Sequence, residues 1–317
     1  MARVSLMFSG NPRAMLSHKQ EWTNYFTTLR ERHEVKIFVH AWTEQGFVKH
    51  HPTMHGRFWD GQYETGAYQN FPELLDFLQP TGSFVQEPFH DYSAELKGIG
   101  DIYVSSDQGS VHAIMSQLHS ITLANAMRKI HPCDIAIRLR MDLNPEHISP
   151  KEADWINYYP EAPLLFAPNP SRHSHPGGGG GCLTCGEFFK TCFQRHDLMK
   201  RYGTFCAGHG AHTNDICDIF ALGNSATMDT YCGMFDRIKT IYPQVREVLS
   251  AEIGRYDLDV QEFDGYTVKH IKGSVFRPGG ECNLEGSPIF VPEKLLRFHM
   301  KDYIVVHSES VFGVRRR

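Results

Sequence analysis

The first 42 residues restrict the fold more than any other part of the chain. Val4–Phe8 is a short apolar run, and Ser9-Gly10-Asn11-Pro12-Arg13 stops it with a tight-turn signal. Trp22, Tyr25, Phe26 and Leu29 then recur at i, i+3, i+4 and i+7, which puts them on one face of a helix. Val35–Trp42 is a second apolar run of strand character. Strand, helix and strand in such close succession make a βαβ unit, whose two strands are parallel and joined by a right-handed crossover. The pattern predicts an α/β chain with a mostly parallel central sheet flanked by helices.

The rest of the sequence extends that frame. A helix is expected over Phe71–Leu78, a strand over Gly82–Val85, and a longer helix over Ser110–His131 closed by Pro132. Strands are expected over Asp134–Leu143, Pro163–Ala167 and Val268–Phe276. Further helices are expected over Asn214–Leu222, Ala226–Lys239, Pro243–Ile253 and Pro292–Lys301. Thr43–Asn70 has no period and reads as a long loop of the kind that carries function. Residues 1–317 read as one domain, with a ligand-binding half over 1–145 and a second half over 146–317. The five glycines from Gly177 to Gly181, near the start of the second half, favour no single conformation.

Chemistry concentrates in Cys133-Asp-Ile-Ala-Ile-Arg-Leu-Arg-Met-Asp-Leu143. Strand side chains alternate faces, so Arg138, Arg140 and Asp142 share one. Two guanidiniums and a carboxylate on an otherwise apolar strand are costly unless something pairs with them. A phosphorylated ligand fits, because the arginine fork matches phosphate oxygens. Asp142 would then reach a metal or a ribose hydroxyl. The competing reading is an ion ring among the three that only supports the sheet. Gly10, Asn11 and Arg13 follow the first strand and open a helix, the place where α/β folds bind ligands. The turn is not a GxGxxG fingerprint, which argues against a dinucleotide enzyme.

Taken in order, Phe8-Ser-Gly-Asn-Pro-Arg13, Ile37-Phe-Val-His-Ala-Trp42 and Cys133–Leu143 resemble a group of GT-A-type glycosyltransferases of viruses and bacteria associated with surface polysaccharide. Asp218-Ile-Phe-Ala-Leu-Gly-Asn-Ser-Ala-Thr-Met-Asp229 and Pro292-Glu-Lys-Leu-Leu-Arg-Phe-His299 are similar to two later segments of that group. The resemblance implies a GT-A-like fold and a nucleotide-diphosphate sugar as donor. Gly10, Asn11, Arg13, Arg138, Arg140 and Arg277 would line the donor site. Asp142 and Asp218 would be the catalytic carboxylates, Asp218 acting on the acceptor hydroxyl. Such enzymes usually hold Mn²⁺ or Mg²⁺ with an Asp-x-Asp pair. Here Arg140 stands at the first of those positions, leaving Asp142, with His299 as a second candidate ligand.

Composition excludes several alternatives. A net charge of −4 gives no general footprint for nucleic acid or an anionic membrane. A glycan acceptor is therefore preferred to hydroxymethylated pyrimidine in phage DNA, where Lys and Arg would have to meet phosphates. No signal-peptide pattern and no apolar stretch of bilayer length is present, so a soluble cytoplasmic protein is expected, in the host cytoplasm if viral. Eight cysteines point to reduced thiols rather than a disulfide scaffold. Cys182, Cys185, Cys192 and His196 have spacing that can hold zinc, but Phe188, Phe189, Cys192 and Phe193 read better as a packed helical face. A non-catalytic nucleotide- or glycan-binding module is the reading from a different class.

Overall fold

The computed structural model describes residues 1–12, 15–43, 68–86, 91–105, 111–141, 143, 145, 164–168, 216, 218, 220–272 and 289–308. The expected βαβ opening is present. β1 (Arg3–Gly10) leads through a short 3₁₀ turn into α1 (Lys19–Arg30), and the chain returns in β2 (Glu34–Trp42). β1 and β2 pair in parallel from Arg3 beside Glu34 to Gly10 beside Ala41. All four periodic residues of α1, Trp22, Tyr25, Phe26 and Leu29, are buried.

α2 (Phe71–Leu78) and β3 (Gly82–Gln86) follow, then α3 (Ser93–Leu96), β4 (Gly100–Ser105), α4 (Val111–Lys129), β5 (Ile135–Arg140) and β6 (Leu164–Pro168). The C-terminal part holds β7 (Phe220–Asn224), α5 (Ser225–Cys232), α6 (Met234–Leu249), β8 (Leu258–Phe263), β9 (Tyr266–Ile271), α7 (Pro292–His299) and β10 (Ile304–Ser308).

Seven strands form one sheet in the order β10-β6-β7-β5-β1-β2-β3, and three form a second in the order β4-β9-β8. The large sheet is mixed, not mostly parallel as expected. β1 is parallel to both β2 and β5, β2 to β3, and β10 to β6, but β7 runs antiparallel to both of its neighbours, β5 and β6. The small sheet is mixed too, with β4 parallel and β8 antiparallel to β9.

β7 also overturns the helix expected over Asn214–Leu222. Phe220 and Leu222 enter one core layer and Ala221 the opposite one, so this short run is buried on both sides of a sheet. An apolar run of that length cannot be told from a buried helix by periodicity alone. The single helix expected over Ala226–Lys239 is two, because Gly233 ends α5 by donating to the carbonyls of Asp229 and Thr230. Pro243 lies inside α6 instead of opening a helix of its own. β4, β8 and β10 were not anticipated; the expected late strand is present as Tyr266–Ile271, and residues 273–276 lie outside the described ones.

The large sheet separates two apolar layers. On the α1 side, Leu6, Phe8, Val39, Ile137 and Leu139 meet Trp22, Phe26 and Leu29. On the α4 side, Met7, Ala136 and Ala221 meet Met115, Leu118, Met228 and Tyr242. The Phe8 ring meets the Trp22 ring edge-on at 5.2 Å. No helix among the described residues is long and apolar enough to cross a membrane. Trp22→Ala removes a fully buried indole packed on three other rings. It should lower unfolding stability by about 3–5 kcal/mol, read from the urea midpoint.

Candidate functional site

β1, β2 and β5 run in one direction, so their carboxyl ends share one edge of the sheet. The chain turns from β1 to β2 on one side and returns to β1 on the other side only with β5. Crevices at such switch points are where open α/β sheets bind ligands. Gly10 ends β1 at φ +106°, a conformation that strains any side chain, and the space where a Cβ would project is open. Asn11 beside it is half-buried. Arg13, Asp142 and Arg277, and the cluster Cys182, Cys185, Cys192 and His196, lie outside the described residues.

Strand alternation sends Arg138 and Arg140 to the α4 side, because Ile137, Leu139 and Met141 fill the opposite layer. The two arginines differ in depth. Arg138 is 1% exposed, and its Nη1 donates to the backbone carbonyl of Asp218. Arg140 keeps 26% of its side chain exposed, with Nη1 3.9 Å from Asp218 Oδ2. That separation is an ion pair, too long for a hydrogen bond. Gln117 Nε2 of α4 donates to the same Oδ2.

Topology brings Asp218 here. β7 is antiparallel to β5 and sets Phe220 beside Leu139, so β7 begins at the carboxyl edge and Asp218 lies just beyond it. Asp218 therefore reaches the rim from a bend before a strand, not from the first turn of a helix. Its residue exposure is only 5%. The fold thus brings Arg138, Arg140 and Asp218 together, 80 positions apart for the Arg138 contact. Gln117 was not foreseen. It sits on a helix whose apolar face was legible, and nothing local marks a glutamine there as a partner of a distant carboxylate.

The same face carries a second polar group. His40 Nδ1 lies 2.7 Å from Ser120 Oγ of α4, and the His40 ring meets Trp42 edge-on at 4.7 Å. Burial, helped by the nearby His119, pushes His40 from its ordinary 6.5 down to about 3. His119 is lowered as well, chiefly by burial; it stacks on Phe235 at 4.5 Å, and its Nδ1 lies 3.2 Å from the Tyr92 hydroxyl. A histidine inside the apolar run Ile37–Trp42 was the available signal for this group.

His299 is not brought to the rim. Its Nε2 donates to the Thr230 carbonyl over 2.6 Å, and burial holds the ring below its ordinary value. α7 leads into β10, whose first residue, Ile304, pairs with Leu164 at the amino edge of the sheet. Among the described residues no three His, Cys, Asp or Glu side chains converge as a cation shell. Of the two expected rim carboxylates, Asp218 is engaged by Gln117 and Arg140, and Asp142 lies outside the described residues.

Because His40 is held neutral, protons bind the unfolded chain first as pH falls. Its contribution to stability is complete above about pH 6.5 and is lost as pH drops towards about 3. In that window the loss approaches about 1.4 kcal/mol per pH unit for this one group. His40→Gln should therefore show a shallower decline of the urea midpoint between neutral and mildly acid pH than the parent chain.

No protein-family model and no curated protein matches this chain.

Proposed function

We propose that the chain is a GT-A-like glycosyltransferase that moves a sugar from a nucleotide-diphosphate donor to an acceptor hydroxyl. One observation carries the reading: Arg140, partly exposed, ends β5 at the carboxyl edge of the sheet, next in register to Ser9 and beside the open Gly10 turn. A guanidinium there offsets the charge that builds on a departing diphosphate. Gly10 and Asn11, with Arg13, Asp142 and Arg277, complete the proposed donor site. Arg138 is too deep to meet the donor and acts through the Asp218 backbone.

Asp218 is the proposed base. Gln117 and Arg140 both act on Oδ2, so Oδ1 is the oxygen that would take the acceptor proton. As the acceptor oxygen bonds to the anomeric carbon, the bond from that carbon to the diphosphate breaks and its electron pair leaves with the nucleotide. Positioning and fixed positive charge then supply most of the rate. An acceptor glycan fits the net charge of −4 better than DNA does.

The test is a thermal-shift panel of UDP-, GDP-, dTDP- and CMP-sugars. A ligand that binds only the folded chain raises its melting temperature by mass action. At least one should stabilise the parent chain, and Arg140→Ala should remove that shift. If Arg140 only clamps Asp218, Arg140→Ala would melt lower without ligand yet keep the full ligand-induced rise, and the donor site would have to be moved.

A further inference from the structure

Ser9, His40 and Arg140 stand side by side in one row across β1, β2 and β5, on the side covered by α4. Ser9 is 1% exposed and His40 0%. One ring nitrogen of His40 faces Ser120, but the other, Nε2, and the Ser9 hydroxyl meet no donor or acceptor among the described residues. Polar atoms enclosed this completely are almost always hydrogen-bonded, and orphaned ones are commonly bridged by internal water. Both residues are in-register neighbours on adjacent strands and share one face, so their side chains leave the sheet side by side.

The chemistry of the pair narrows the occupant. A hydroxyl and a neutral imidazole can each give or take a hydrogen bond, depending on rotor and tautomer. One nitrogen and one hydroxyl are too few ligands for a hard cation. The enclosure also keeps out a molecule bound at the rim. We infer that one internal water bridges Ser9 Oγ and His40 Nε2. It joins the first two strands to α4 through the Ser120 contact. α4 also carries Gln117, so the water steadies the helix that holds Asp218 in place.

The test is a high-resolution crystal structure of the full chain grown with bromide, paired with water-to-protein magnetisation transfer in solution. The expected result is a density peak without anomalous signal, within hydrogen-bonding distance of both atoms. In solution, a long-lived water should exchange magnetisation with the His40 ring and cease to do so in Ser9→Ala. A bromide signal at the position would make it an anion site and overturn the inference. A direct Ser9–His40 hydrogen bond, or the lack of any peak or transfer in the parent chain, would overturn it as well.

Discussion

A guanidinium cannot lie under a helix in an apolar layer unless its charge and protons find oxygen there. Arg138 meets that demand by donating to the Asp218 carbonyl, and the rest of the rim follows from it. The contact fixes the bend before β7 at the carboxyl edge of the sheet. It thereby sets the Asp218 carboxylate between Gln117 on α4 and Arg140 on β5. One buried charge thus ties the end of β5, the entry to β7 and the covering helix into one unit.

The two arginines of β5 are separated by a single residue and have different tasks. Arg138 is inside, whereas Arg140 reaches the edge. Strand alternation places both on one face, but depth along the strand decides which can meet a ligand. Sequence spacing alone makes them equivalent. Their place along β5 makes them different: Arg138 lies opposite Ala221 of β7, whereas Arg140 lies beyond Leu139, the last β5 residue that β7 pairs.

Elements formed by local patterns were legible. Trp22, Tyr25, Phe26 and Leu29 announced α1, and the apolar runs of β1, β2 and β5 announced their strands. What failed depended on distant partners. Phe220–Asn224 is a strand because β5 and β6 lie on either side of it, and no periodicity within five residues reports that. Gly233 broke a continuous helical pattern, while Pro243 did not break α6. In the rim, the charged residues drew notice because charge on an apolar strand is conspicuous. Gln117 and Ser120 did not, because neutral polar residues on a helix are commonplace until a partner is known. His299 carried a plausible pattern to the wrong edge, since strand direction, which spacing cannot report, decides where α7 ends.

The interior place of β1 in the large sheet has a consequence during synthesis. One side of β1 is closed early by β2, but the other is closed by β5, and the Arg3–Asp134 contact spans 131 positions. Until residues 135–140 emerge from the ribosome, β1 presents an unpaired row of backbone groups beside apolar Val4, Leu6 and Phe8. Such an edge is a template for pairing with another chain. A nascent or truncated polypeptide that stops short of β5 is therefore the form of this protein most prone to stick to its own kind.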